Sequence, residues 1–301
     1  MSRMIGQGEV DLAALVGRIR DEFPDLRFAE ATLNDDGEDH AVVLLDDRWV
    51  FRFPRTAEAA ARGVSERRLL ASLNAVSPVA TPRYTHLSRT GDFGGYRMIA
   101  GVGLTEAVFA ALSRETQERV LGEIGDFLSV LHALPPELGA RPAGDASTGG
   151  ATWFAERYAE RRKSLAEGLG AVLLGAADRF YDALPAAVAT SSVAVTHGDF
   201  TDDHILLATG RLAGVIDFTD ASLGDPAFDF TCLWAYGQWA VEHVARRYGA
   251  GAANSDILSR SLLWFTRYRI DQVWWSVSGA REYDVAAIRR ELEELFDRLG
   301  I

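Results

Sequence analysis

Between Asp11 and Phe23 the apolar residues Leu12, Leu15, Val16, Ile19 and Phe23 recur at helical spacing, and Pro24 follows as a stop. An opening helix is predicted. Three short apolar runs come next, around Phe28 to Leu33, Ala41 to Leu45 and Arg48 to Phe53. Asn34-Asp35-Asp36-Gly37-Glu38-Asp39 separates the first two, and Asp46-Asp47 the second and third, which predicts an antiparallel meander. A helix is predicted from about Ala57 to Leu73. Pro78 and Pro82 then bracket a break before a second hairpin, with Asp92-Phe93-Gly94-Gly95 expected as its turn.

Ala100-Gly101-Val102-Gly103 reads as a short flexible connection. Beyond it, Val120, Leu121, Ile124, Phe127, Leu128 and Leu131 mark one face of a helix from Thr116 to His132. Pro135 to Gly150, rich in proline and glycine, reads as a surface loop, and helical patterning resumes from Trp153 to about Val188. Val193-Ala194-Val195-Thr196, Ile205 to Leu207 and Leu212 to Ile216 read as strands, the last two joined by Thr209-Gly210. After Pro226 the chain is helical and aromatic-rich. The whole is a two-lobed α+β arrangement: residues 1–100 form a small antiparallel sheet with one main helix, and residues 101–301 a larger, mostly helical lobe holding one buried hairpin.

Composition narrows the function classes. With 301 residues, 48% hydrophobic and 25% charged, the chain is an ordinary globular one, which excludes disordered, collagen-like and coiled-coil readings. A net charge of −12 argues against nucleic acid as a partner. The single cysteine, Cys232, cannot form an internal disulfide or a multi-thiolate zinc site, and no run approaches the roughly 20 apolar residues of a membrane span. A cytoplasmic protein with no membrane partner is expected; oligomeric state stays open, and a monomer suffices. Of the 31 basic residues only Lys163 is a lysine, so any chemistry that needs a lysine must use that one.

The densest chemical signal is His197-Gly198-Asp199-Phe200-Thr201-Asp202-Asp203-His204, with Asp217-Phe218-Thr219 thirteen residues on. Protein kinases carry His-Arg-Asp, four residues, then Asn, with a metal-binding Asp-Phe-Gly downstream. Asp199 would emerge just past a strand, where a carboxylate can orient an incoming hydroxyl. A hairpin between His204 and Asp217 would return Asp217 to Asp199. His197 reads as a structural histidine that holds the loop, and Asp225 and Asp229 as structural acids that orient it and cap the next helix.

The stretch from His197 to Asp217, continued by Gly224-Asp225-Pro226-Ala227-Phe228-Asp229-Phe230, resembles the aminoglycoside phosphotransferase family and is similar to the macrolide phosphotransferases of the same superfamily. Trp49-Val50-Phe51-Arg52-Phe53-Pro54-Arg55-Thr56 with Glu66 resembles the third strand and following helix of the 2″-phosphotransferases. Gly95-Tyr96-Arg97-Met98-Ile99-Ala100-Gly101 resembles their hinge. The resemblance implies a protein-kinase-like fold whose first lobe binds nucleotide and whose second holds the catalytic and acceptor sites.

It further implies Asp199 as catalytic base or hydroxyl-orienting residue, Asp217 as principal Mg²⁺ ligand, and ATP or GTP as phosphoryl donor, with its base near Met98 to Ala100. His204 stands where asparagine is the commoner second metal ligand. Imidazole suits zinc or copper better than magnesium, so His204 is open to weak ligation, ligation through water, or a hydrogen bond to phosphate. The lysine expected on the third strand is absent; strand alternation makes Arg52 its replacement, with Glu66 as partner. No glycine-rich phosphate loop is present: the acid-rich turn either points its amides inward or does not cover the phosphates.

Asp202, Asp203, Asp220 and Asp271 are candidates for holding a cationic acceptor, against the alternative that they are solvated surface. The expected function is transfer of the γ-phosphoryl of ATP or GTP to a hydroxyl of an aminoglycoside-like antibiotic. The alternatives are a macrolide or other natural-product kinase, a zinc hydrolase built on His197, Asp199, His204 and Asp217, and a kinase-like protein that only binds nucleotide.

Overall fold

The meander forms as its pattern demands. β1 (Ala31–Asn34), β2 (His40–Leu45) and β3 (Trp49–Pro54) are antiparallel. Asp46 and Asp47 both take left-handed φ, 52° and 49°, the backbone that a two-residue hairpin turn requires. A computed structural model describes residues 10–35, 37, 39–139, 150–189, 192–249 and 254–301. Asp36 and Glu38 of the acid-rich turn, the amino-terminal residues before Val10, and residues 140–149 of the expected surface loop lie outside the described residues.

Helix α1 (Leu12–Glu22) is capped by Asp11, whose carboxylate accepts from the Ala13 amide at 2.8 Å. It lays Leu15 and Ile19 on one face of the sheet, where Phe51, Phe53, Phe93, Val43 and Leu45 form a core of their own. Pleat alternation therefore turns Arg52 to the other face, beneath α2 (Ala57–Leu73). Thr56 caps α2 through the Ala59 amide at 3.0 Å, and the helix buries Glu66, Leu69, Leu70 and Leu73.

The second hairpin pairs β4 (Tyr84–Leu87) with β5 (Gly94–Arg97), completing a five-stranded sheet in the order β1-β2-β3-β5-β4. Its turn is not the expected one. The chain reverses before Phe93, with Gly91 at φ 69°, and Gly94 and Gly95 lie inside the strand. They are glycines for packing: a Cβ on Gly95 would lie 2.6 Å from the Phe51 ring, and one on Gly94 2.8 Å from Leu87.

The connection after Arg97 is also more ordered than expected. Val102–Gly103 forms β6 and pairs with β8 (Ile205–Ala208), which forms the expected hairpin with β9 (Arg211–Val215). Between β6 and that hairpin run α3 (Glu106–Ala110), α4 (Arg114–His132), α5 (Ala151–Val188) and β7 (Ala194–Thr196). Gly170 breaks α5 with φ 75° and ψ 168°. β7 pairs with β10 (Ser222–Gly224), a strand too short to leave an alternating pattern.

A 3₁₀ run over Pro226–Tyr236, then α6 (Gln238–Arg247), α7 (Asn254–Val277) and α8 (Val285–Leu299), complete a mostly helical second part with its own large core. Trp234 and Trp264 belong to that core. The Val215 amide donates to the Ala80 carbonyl at 3.0 Å, tying the hairpin to the segment after α2. No helix among the described residues is long and apolar enough to cross a membrane.

Candidate active site

The loop after β7 is shaped by backbone anchors. The buried Asp229 carboxylate accepts the amides of His197 at 2.7 Å and Gly198 at 3.1 Å, and lies 3.0 Å from His132 Nε2. His197 is fully buried. It donates from Nε2 to the Ile216 carbonyl at 3.0 Å, and its Nδ1 accepts from the Asp199 amide at 3.3 Å. Burial pushes its pKa down, so it serves as a neutral strut between the loop and the residue that follows β9. Asp225 caps the 3₁₀ run through the Ala227 amide at 3.0 Å and pairs with buried Arg260. Both acids thus hold the loop and its surroundings, as read from the sequence.

Gly198 takes φ 80°, and a Cβ there would lie 2.2 Å from the Asp220 carbonyl oxygen. Gly198→Ala is expected to cost about 1–3 kcal/mol in chemical denaturation and to reduce turnover sharply by displacing Asp199. Wild-type stability in that variant would show that the loop has room it lacks here.

Two tight turns, the Thr201 amide on the Asp199 carbonyl and the His204 amide on the Thr201 carbonyl, curl His204 back toward Asp199. His204 Nδ1 donates to the Asp199 carbonyl at 2.9 Å and lies 3.4 Å from Asp199 Oδ2. The other ring nitrogen, Nε2, lies 3.9 Å from Asp217 Oδ2. The hairpin has therefore returned Asp217 to Asp199, as its spacing implied.

Asp217 sits at φ 63°, and its Oδ1 accepts from Arg52 at 2.8 Å and from Thr219 at 3.0 Å. Burial pushes its carboxyl up, but Arg52, His204 and the hydrogen bonds outweigh that and hold it well below the usual carboxylate range. Asp199 goes the other way: burial, with the charges of Asp220 and Asp217, raises it to about 6 against the pull of His204 and Arg281. Two neighbouring carboxylates are thus set apart, one pushed down and one raised toward neutrality.

Arg52 is engaged throughout. Nη1 donates to Glu66 at 2.8 Å; Nη2 donates to Asp217 and to Thr219 at 2.8 Å each and lies 3.3 Å from His40 Nδ1. Burial, aided by the Arg52 charge, pushes His40 down to about 3, so it faces Arg52 as a neutral acceptor. His40 carries no sequence motif, but it shares the parity of Val42, the residue directly opposite Arg52, and strand alternation places it on the same face.

The acid-rich turn is met by arginines: Arg55 binds Asp35 and the Gly37 carbonyl, and Arg62 pairs with Asp39. Among the other predicted residues, Met98 and Ala100 are exposed, and the Met98 amide donates to the Arg48 carbonyl at 2.9 Å. Asp202 is half-buried, which raises its pKa, and Asp203 is exposed beside it. Asp220 lies close enough to raise Asp199. Asp271 is placed differently from a free cation-binding acid: it is buried between Arg267 at 2.7 Å and Arg161 at 3.3 Å, and Arg161 stacks 3.6 Å above Trp274. Arg281, on the turn before α8, was not signalled by any motif, and its charge opposes the rise at Asp199.

Among the described residues no group of three or more His, Cys, Asp or Glu side chains is placed to hold a metal ion. The Asp217 carboxylate could hold a cation that substrate oxygens and water complete, the habit of magnesium bound with phosphates, with His204 Nε2 3.9 Å away.

Residues 30–263 match the model of the phosphotransferase enzyme family. The chain is similar to the uncharacterized protein YcbJ of Bacillus subtilis (strain 168), 25% identical over 238 residues that span 73% of this chain and 74% of that protein. Its fold is similar to the GDP complex of wild-type aminoglycoside 2'-phosphotransferase-IIIa, with a TM-score of 0.75, 21% identity, and coverage of 96% of this chain and 98% of the other. It is also similar to macrolide 2'-phosphotransferase type I, with a TM-score of 0.60, 21% identity, and coverage of 95% and 99%. At these identities the two structural likenesses speak to the fold, which is the two-part kinase-like arrangement expected.

Proposed function

The chain belongs to the phosphotransferase enzyme family, and from that membership we propose that it transfers the γ-phosphoryl group of ATP or GTP to a hydroxyl of an aminoglycoside-like antibiotic. The observation that carries the reading is the convergence of Asp199, His204, Asp217 and Arg52 at one site. In the transfer, the acceptor oxygen attacks the γ-phosphorus, the bond to the β-phosphate oxygen breaks, and the hydroxyl proton passes to Asp199. Asp217 and His204 Nε2 would hold Mg²⁺, which when bound supplies neutralisation of the phosphate charge. Arg52 fixes Asp217, and through Glu66 ties it to α2.

The aminoglycoside complexes among the fold neighbours support a cationic acceptor, one of them holding GDP and kanamycin, and so do Asp202, Asp203 and Asp220 beside Asp199. A second reading, a macrolide or other acceptor with a large apolar body, is favoured by the neutralisation of Asp271 between Arg161 and Arg267. Tyr268, Trp275 and Tyr283 add to that reading an aromatic series with ring centroids 5.8 and 6.3 Å apart.

A coupled assay of ADP and GDP release across aminoglycosides, macrolides and nucleoside antibiotics separates the two readings. Release with polycationic aminoglycosides is expected under the first, and release confined to macrolides would replace it with the second. Nucleotide binding with no acceptor-dependent release from any class would sink both.

A further inference from the structure

The lysine position is filled by an arginine whose fork is already spent. Both terminal nitrogens of Arg52 are held by protein acceptors, Glu66 on one side and Asp217, Thr219 and His40 on the other. A phosphate that drew Arg52 away would release the very carboxylate that the site needs in place. Lys163 lies on α5 and carries no part of the site. The phosphate chain of a nucleoside triphosphate therefore needs a cation besides Arg52.

Arg62 meets that need. It stands one helical turn before Glu66 on α2, so the two side chains share a face. Together with Thr219, the residue that bridges Arg52 and Asp217, they line a cavity of about 10 Å³. Its Nη2 is paired with Asp39, at the end of the acid-rich turn, while its Nε is buried with no acceptor among the described residues. Asp39 in turn feels the charges of Asp217 and Asp220. Burial pushes the Asp39 carboxyl up against the pull of Arg62.

We propose that Arg62 is the nucleotide-phosphate ligand that takes over from the missing lysine, and that the Asp39 carboxylate is its internal stand-in, exchanged for phosphate oxygens when nucleotide binds. The exchange is one charge-assisted bond for another: Arg62 leaves a carboxylate for a phosphate, and Asp39 turns to solvent. Arg52 then keeps Asp217 fixed throughout, and the two jobs that one lysine performs elsewhere in kinases are divided between two arginines. Asp35 and Asp39, which would repel phosphate if bare, are paired with Arg55 and Arg62 until phosphate arrives. This inference rests on the phosphotransferase reading.

The test is calorimetric titration of ATP, GTP, ADP and AMP, with Mg²⁺, into the full chain and into Arg62→Gln, Asp39→Asn and the double variant. Arg62→Gln is expected to weaken triphosphate binding by about ten- to a hundredfold and to leave AMP within about twofold of wild type. Asp39→Asn is expected to tighten triphosphate binding severalfold by removing the competitor, and the double variant to resemble Arg62→Gln. Triphosphate affinity within about twofold of wild type in a folded Arg62→Gln would overturn the proposal. So would weakening by Asp39→Asn, which would make the pair a strut. If the wild-type chain binds none of the nucleotides, the failure is of the kinase reading itself; if it binds them and Arg62→Gln does too, only the assignment of Arg62 falls.

Discussion

Asp199→Asn is expected to fold, to bind nucleoside triphosphate, and to transfer phosphoryl about a hundred- to ten-thousand-fold more slowly than wild type. The substitution keeps the shape of the side chain and the amide that anchors it to His197 Nδ1, and it removes only the group that accepts the hydroxyl proton. Nucleotide binding survives because Arg52, Asp217 and Glu66 remain joined without it. The wild-type pH profile is the companion measurement. Burial and the neighbouring acids raise Asp199 to about 6, so its basic form dominates above that pH and is lost below it. Turnover should fall by about tenfold per pH unit on the acid side of 6. Asp217 contributes no limb there, because it is held ionised well below that range. Full turnover in Asp199→Asn, or a rate independent of pH between 5 and 7, would contradict the assignment of Asp199 as base.

Elements with a strong local signal were legible in the chain. The bounds of α2 follow from the Thr56 cap and the apolar periodicity, and the hairpin at Asp46-Asp47 from residues that tolerate left-handed φ. The spacing from Asp199 to His204 and on to Asp217 was enough to forecast their convergence. What escaped was set by partners remote in sequence. Arg52 and Asp217 are 165 positions apart, and no local pattern says that the arginine will meet that carboxylate. Asp271 reads as an available acid until Arg161, 110 positions away, is seen beside it. Gly94-Gly95 has the chemistry of a turn, yet its reason lies in the Phe51 ring on the neighbouring strand. In each case the residue type was visible and its partner was not.

The engagement of Arg52 leads to the largest expected stability effect. Arg52 is 7% exposed and Glu66 2%, so the pair is held out of water, and removing one partner leaves a buried charge. Arg52→Ala is expected to lower unfolding free energy by about 3–5 kcal/mol in denaturant titration and to abolish turnover, because Asp217 loses its fixed donor. Burial already pushes Glu66 up against the pull of Arg52, and in this variant that pull is gone.

Arg52→Lys separates charge from geometry. A single ammonium keeps the ion pair with Glu66 but cannot place two nitrogens on Glu66 and Asp217 at once, so stability should largely return while turnover stays low. The double variant Arg52→Met with Glu66→Leu completes the argument. Replacing a whole buried pair by apolar side chains of similar volume commonly costs little, so the fold should survive where Arg52→Ala alone fails. Turnover in that double variant near the wild-type rate would mean that Arg52 holds the lobe together and nothing more. Its absence, in a protein as stable as wild type, would place the function of Arg52 on the carboxylate of Asp217.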